Sequence, residues 1–361
     1  MNERVDRRTI LAALLLLLGG LVILYSASAP FSLRHYGSDM HMLFKQAIAA
    51  FGGAALLVFF ALLDYHRLAV LNDLLLIGAF AMTVVTVLPL GLGEGRWLSF
   101  GAFAVQPTEF LKLALVIYLA TVISRKGARI RSFRDGIAPF LLVLGVIAAV
   151  VINQPDLGML LMYGAVTVTM LFAGGASIRH IGAIGLGSIP LVYAAVRLAP
   201  YRFERVLSFL NPGAYSTSSN YQPIQSLIAV GSGGLFGRGL GASRAKLFYL
   251  PQAHNDFILA VVAEELGFIG TLAVLALVGV LVWRAFVISE RALDQLGRML
   301  ALGIGFTIGF QTLLNAGVVL GVLPVTGLTF PFLSNGGSSL LVTLAMVGIL
   351  LNVSKQGGAA S

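Results

Sequence analysis

Four short polar runs stand directly before apolar windows and hold most of the side chains able to do chemistry. They are Gln106-Pro107-Thr108-Glu109, Asn153-Gln154-Pro155-Asp156, His254-Asn255-Asp256 and Ser334-Asn335-Gly336-Gly337-Ser338-Ser339. If the windows are helices, each run sits at an N-terminus, where free N–H groups and about half a positive charge suit a phosphate. Ordinary capping accounts for the same residues, since Asp256 or Asn255 would accept hydrogen bonds from the first N–H groups of its helix. Capping leaves the ionisable cargo unexplained. Glu109 and Lys112 are three apart, hence on one helix face, and Lys112 lies within an apolar run. They form either a structural ion pair or a pair in which Lys112 meets a phosphate while Glu109 holds it in place. Burying such a pair often fails to offset its desolvation, which favours the second. Asp256, at the edge of an apolar window, is a functional-site candidate by the same logic.

The remaining candidates carry weaker signals. Arg96-Trp97 suits an interfacial anchor or a headgroup contact. Glu264 and Glu265 lie about two turns into their window, so at least one faces the bundle interior, where a hydrogen bond to a neighbouring helix is expected. His254 is a lone histidine without metal-ligand spacing, although carboxylates could hold a divalent cation such as Mg2+ or Mn2+ beside a phosphate group. Ser338 has no base partner in view, so a serine nucleophile is not expected. Gly237, Gly239 and Gly241 have the wrong spacing and context for a dinucleotide loop.

The elements that must position these groups are membrane spans. Only 11% of the 361 residues are charged and 58% are hydrophobic, against about 25% charged in soluble domains. Apolar windows long enough to cross fall at about 9–28, 43–63, 68–90, 107–124, 136–153, 157–174, 180–198, 256–283, 299–321 and 337–353. The first is kept as a span rather than a signal peptide, because no small-residue cleavage site follows it. Basic residues fix the orientation: Arg7 and Arg8, Arg67, the run from Arg125 to Arg134, Arg179, Arg284 to Arg298, and Lys355 all fall on one side. That side is cytoplasmic, with both termini on it. The expectation is one all-α polytopic domain, 1–361, of about ten helices with a long extracytoplasmic loop, 199–255, between the seventh and eighth. Within that loop Asn211-Pro212-Gly213 reads as a turn and 221–230 as a short interfacial helix. The net charge of +9 reflects topology and anionic membrane lipid rather than nucleic acid. The absence of cysteine excludes disulfides, thiolate chemistry and cysteine metal ligation. No repeat supports a transporter-type inverted pair.

Tyr249-Leu250-Pro251-Gln252-Ala253-His254-Asn255-Asp256-Phe257-Ile258, followed by Ala263-Glu264-Glu265-Leu266-Gly267, resembles the signature of the SEDS family (shape, elongation, division, sporulation). So do Pro324-Val325-Thr326-Gly327, Ser334-Asn335-Gly336-Gly337-Ser338-Ser339, Gly95-Arg96-Trp97, Gln106-Pro107-Thr108-Glu109 with Lys112, Gln154-Pro155-Asp156-Leu157-Gly158 and Gly233-Gly234-Leu235-Phe236-Gly237, in the family's order. Asn255 stands where the family usually has threonine, and Asn335 where tyrosine precedes the double glycine. The short termini and the Pro324 motif look more like the elongation branch (RodA) than the division branch (FtsW).

The resemblance implies a peptidoglycan glycosyltransferase of the bacterial inner membrane. Such an enzyme polymerises lipid II, a polyprenyl-pyrophosphate-linked precursor, beside a class B penicillin-binding protein that cross-links the strand. Asp256 then maps to the family's essential aspartate, the expected general base. Lys112, Arg96 and Lys246 would stabilise the leaving pyrophosphate, and Glu109, Gln106, Asp156 and Ser338 complete the expected substrate-binding set. A lipid-open apolar groove should lead to Lys112, Arg96 and Asp256, with the loop's glycines letting it move over the mouth. Two other classes remain: a flippase for the lipid-linked precursor, which should show paired broken helices with ionisable groups at the midplane, and a non-enzymatic scaffold, which needs neither Lys112 nor Asp256.

Overall fold

The computed structural model describes residues 5–88, 93–101, 103–154, 156–210 and 218–357. Pro155 and the Asn211-Pro212-Gly213 turn lie outside these residues. Thirteen helices follow in order: α1 (Arg7–Tyr36), α2 (His41–Leu62), α3 (Tyr65–Val70), α4 (Asn72–Val85), α5 (Pro107–Lys126), α6 (Ala138–Val151), α7 (Leu157–Ala173), α8 (Ile178–Arg197), α9 (Pro200–Leu210), α10 (Ser218–Gly233), α11 (Ile258–Arg291), α12 (Gln295–Val319) and α13 (Gly337–Gln356). Eight helical stretches are long and apolar enough to cross a membrane, and the shorter apolar helices α4 and α7 occupy the two remaining windows. Every window read from the sequence therefore holds a helix.

The bundle has a buried centre and a loose rim. Of the apolar windows, 89% of α13's, 78% of α5's and 67% of α12's lies inside the protein, against 6% for α8. The polar candidates sit on or beside the central helices, as expected where hydrocarbon surrounds the rim. Close helix contact relies on small residues. A Cβ on Gly348 of α13 would lie 2.4 Å from the Leu57 carbonyl oxygen of α2, and one on Gly53 of α2 would strike Leu344 at the same distance. At the opposite end from the polar runs, Asp6 caps α1 through Arg8 N (3.0 Å) and Thr9 N (3.2 Å) and also holds Arg284 Nε of α11 at 2.6 Å.

Three features depart from the expected all-α bundle. First, the stretch before α5 is a three-stranded antiparallel meander, β1 (Gly93–Glu94), β2 (Trp97–Phe100) and β3 (Phe103–Val105), with Glu94 opposite Trp97 and Leu98 opposite Val105. Second, the long loop contains α9 and α10; α10 packs along α11, and its Ser226 hydroxyl donates to the Val319 carbonyl of α12 at 2.8 Å. The helix expected over 221–230 is thus longer and partly embedded.

Third, α11 is broken at Gly267 (φ 69°, ψ −167°), a conformation that only glycine adopts readily. The glycine-rich stretch fills the break: Arg238 N and Gly239 N donate to the Glu264 and Glu265 carbonyls at 3.0 Å, and Phe268 N donates to the Gly234 carbonyl at 2.9 Å. A Cβ on Gly233 would lie 1.9 Å from the Ala263 carbonyl oxygen. At Gly233 and Gly237 the missing Cβ lets backbone lie on backbone, which holds the stretch against the break.

Candidate active site

Asp256 lies in a turn ahead of α11, and the helix begins two residues later. The N-cap position is Phe257, with no side-chain capping bond. The capping explanation of Asp256 therefore fails. The turn is fixed by its backbone: Asn335 N donates to the His254 carbonyl (2.9 Å), the Ser334 hydroxyl to the Asn255 carbonyl (2.6 Å) and Asn315 Nδ2 to the Asp256 carbonyl (2.7 Å). The Asp256 carboxylate itself is half-buried and accepts no hydrogen bond among the described residues. Burial raises its pKa above the ordinary carboxylate value, while Arg96 and Arg205 pull it down and Asp156 pushes it up. A half-buried, unpaired carboxylate of raised pKa is suited to taking a proton.

Arg96 arrives from the meander. Gly95, with φ 64°, makes the tight turn between β1 and β2 that places it. Its Nη1 contacts Asp156 Oδ2 at 3.4 Å and the Gly327 carbonyl at 3.5 Å. Gly327 (φ 74°) carries backbone past the site, where a Cβ would lie 3.4 Å from Arg96 Nη1 and 3.6 Å from Asp256 Oδ2. Asp156 caps α7 through Met159 N (3.1 Å) and accepts from Gln106 Nε2 (3.2 Å), while Gln106 N donates to the Ser338 hydroxyl at 2.9 Å. The starts of α5, α7 and α13 are thus tied together around Arg96 and Asp156, with Asp256 across from them. Ser338 serves as a brace.

Lys112 and Lys246 are each held by a carboxylate. Lys112 is 2% exposed, and its ammonium is enclosed by Glu109 Oε2 (2.5 Å) and Gln311 Oε1 (2.7 Å). Gln311 continues to the Thr329 carbonyl at 2.9 Å. In this structure the pair braces α5 against α12, with Glu109 and Gln311 taking two of the three ammonium N–H groups. Lys246 bonds Glu265 Oε1 (2.8 Å) and the Ser26 hydroxyl (2.9 Å), joining the long loop to α11 and α1. A groove of about 460 Å3 between Val22, Tyr25, Ser26, Ala29, Lys246 and Leu247 leads to this clamp. Glu265 also accepts from Ser26 at 2.7 Å, the helix-to-helix bond expected of one of the two glutamates.

His254 packs against Phe31 with ring centroids 4.6 Å apart and planes tilted by 39°, and burial followed by the nearby His35 lowers its pKa to about 4, so it is neutral at pH 7. Among the described residues no three His, Asp or Glu side chains converge as metal ligands. The sequence reading passed over Gln311, Asn315 and Thr329. Gln311 and Asn315 are four apart on an apolar helix, hence on one face, and amides at that depth need partners as carboxylates do.

A family profile described as a cell cycle protein, spanning FtsW, RodA and SpoVE, matches residues 7–358. A probable peptidoglycan glycosyltransferase FtsW from Geobacter metallireducens is 39% identical over 98% of this chain and 96% of that one. Stage V sporulation protein E from Bacillus subtilis is 42% identical over 97% of each. Among solved structures, a chain from a study of polymerization and crosslinking by a peptidoglycan synthase complex superposes with TM-score 0.78 at 29% identity, covering 98% of both chains. Rod shape determining protein RodA of Thermus thermophilus superposes with TM-score 0.70 at 28% identity, covering 96% of both. Division, sporulation and rod-shape proteins all appear, so the expected leaning to the elongation branch gains no support from them. With its whole bundle and every quoted motif inside the matched span, the chain belongs to the FtsW/RodA/SpoVE family, the SEDS proteins.

Proposed function

We propose that this multi-pass membrane protein is a peptidoglycan glycosyltransferase that polymerises lipid II. The observation that carries the proposal is Asp256, a fixed backbone presenting an unpaired, half-buried carboxylate beside Arg96. The 4-hydroxyl of the acceptor sugar attacks the donor anomeric carbon, and Asp256 takes its proton as the new C–O bond forms. The bond from that carbon to the diphosphate oxygen breaks, and its electron pair leaves with the polyprenyl diphosphate. Arg96 stands where that charge develops. Asp156, Gln106 and Ser338 hold Arg96 and the helix starts in register.

The one-sided distribution of basic residues supports cytoplasmic termini in a bacterial inner membrane, an orientation that turns the Asp256 end outward, where the glycan grows. A class B penicillin-binding protein is the proposed cross-linking partner, in keeping with the synthase complex whose chain this one resembles. The shared activity is the conclusion, whichever stage of growth it serves. A flippase is less well supported: the broken helix α11 is filled by the chain's own glycine stretch, and Glu264 and Glu265 beside the break are fully engaged.

The test is strand synthesis from purified lipid II by the full chain, alone and with a class B partner. Glycan ladders from the wild type and none from Asp256→Asn are expected. A wild type that forms no strands in either setting overturns the assignment.

A further inference from the structure

The cations expected to meet the diphosphate have partners within the protein. Lys112 is enclosed, Lys246 is held by Glu265, and His254 is neutral, leaving Arg96 shared with Asp156. A departing diphosphate carries negative charge, and beside Asp256 one guanidinium already shared with Asp156 does not balance it. We propose that Arg205 of α9 is the second arm of a diphosphate clamp whose first arm is Arg96, the two guanidiniums gripping the donor's diphosphate on either side of Asp256. The proposal rests on the glycosyltransferase reading and adds a binding residue to it.

The geometry centres on the extended segment 325–327. Arg96 Nη1 reaches the Gly327 carbonyl at 3.5 Å, and Arg205 Nη1 reaches the Val325 carbonyl at 3.4 Å. Two guanidiniums from different elements thus rest on carbonyls two residues apart, on the segment where a Cβ at Gly327 would lie 3.6 Å from Asp256 Oδ2. Both contacts are at the long limit of hydrogen bonding, whereas phosphate oxygens bind guanidinium in bidentate fashion at shorter range. Arg205 is exposed, and its charge is felt at Asp256. Arg202, one turn earlier on the same helix, makes the contrast. It is buried, and its guanidinium donates to the Ala195, Ile152 and Gln154 carbonyls at 3.2, 2.6 and 3.3 Å, anchoring α9 to the bundle. One arginine fixes the helix. The other is delivered by it to the site.

The experiment measures steady-state lipid II polymerisation, and its inhibition by inorganic pyrophosphate, for the full chain with its class B partner. Arg205→Ala should raise KM and weaken pyrophosphate inhibition by about tenfold or more, the loss expected for a charged bidentate contact. Arg205→Lys, which keeps the charge but loses the fork, should recover part of both. Arg202→Ala should lower thermal stability instead. Unchanged KM and unchanged pyrophosphate inhibition in Arg205→Ala overturn the clamp while leaving the polymerase assignment standing. If the wild type makes no strands, the polymerase assignment falls separately, and calorimetric pyrophosphate binding to wild type against Arg205→Lys decides the clamp. Equal affinity refutes it, and weaker binding by the variant supports it. The same calorimetric pair serves if Arg205→Ala does not fold.

Discussion

Asp256 and the Glu264–Glu265 pair lie within nine residues of one another, at the mouth and at the break of the same helix, yet their surroundings are opposite. Glu264 accepts from the Ser243 hydroxyl (2.6 Å) and from Arg244 N and Ala245 N (3.1 Å each), while Glu265 holds Lys246, Ser26 and Ser243 N. Asp256 is left with none of this. A buried carboxylate whose lone pairs are all engaged fixes structure, because moving it forfeits several charge-assisted bonds at once. A carboxylate whose backbone is bonded on three sides while its oxygens are bare is held in place for something that arrives later. The contrast between saturation and vacancy, more than depth in the membrane, separates the brace from the base.

Breaking the base should give the largest effect. Asp256→Asn changes one oxygen in a turn that is held by its main chain, so polymerisation should fall by about 10²–10⁴-fold, the usual worth of a general base. Thermal unfolding in detergent should be unchanged. A variant that keeps most of its turnover would remove Asp256 from the chemistry.

Breaking the brace should do the converse. Lys246→Met leaves Glu265 buried with two serine contacts and no cation, a loss of about 3–5 kcal/mol for an unpaired buried charge. The thermal midpoint should drop, and turnover per folded molecule should hold. If turnover collapses while the midpoint stays, Lys246 belongs to the substrate site after all.

The Glu109–Lys112 pair sharpens the comparison from the other side. Lys112→Met alone should destabilise in the same way, and Glu109→Gln with Lys112→Met should recover most of the stability and the activity. A double variant that folds like wild type but polymerises nothing would return Lys112 to substrate binding.

The smallest effect concerns the far end of the bundle, where His66 Nδ1 faces Asp64 Oδ1 at 2.7 Å and Nε2 faces Asp294 Oδ2 at 2.8 Å. Asp64 is lowered to about 2, chiefly by the His66 backbone N–H, then by Gln356 and the His66 ring. Burial works to lower the His66 pKa, but the two carboxylates raise it on balance. Asp64 therefore contributes stability above its ordinary value of 3.8, lost as pH falls towards 2. His66 contributes below its ordinary 6.5, lost as pH rises through its raised value. With His66 and Asp64 about half exposed, screening keeps the effect small. His66→Gln should flatten the thermal midpoint between about pH 6 and 8; an unaltered slope would show that the contact carries no charge.

Much of this architecture was legible because hydrocarbon imposes long apolar runs, and every window holds a helix. Asp256 and the Glu109–Lys112 pairing were equally plain, since a charge beside or inside such a run has few explanations. What local pattern could not supply was depth and partner. The ammonium of Lys112 is enclosed by Gln311, 199 positions away, and no spacing rule connects the two. The short strands around Arg96 have too few residues for alternation to show, and the break at Gly267 depends on a glycine stretch some thirty positions earlier. Nothing in the sequence neighbourhood of Arg205 points to the carbonyl of Val325, 120 positions away.

The bond from Ser26 to Glu265 spans 239 positions of chain. A ribosome adding about 5–20 residues per second therefore leaves the first span in the bilayer for roughly 10–50 s before its partner is made. During that interval the Ser26 hydroxyl has no glutamate, and α1 must remain inserted on its own. Its mean hydropathy of 2.6, the highest of the eight spans, suits a helix that has to wait. The clamp at Lys246 then closes only when α11 arrives, which makes the seating of the first helix one of the last events in the protein's synthesis.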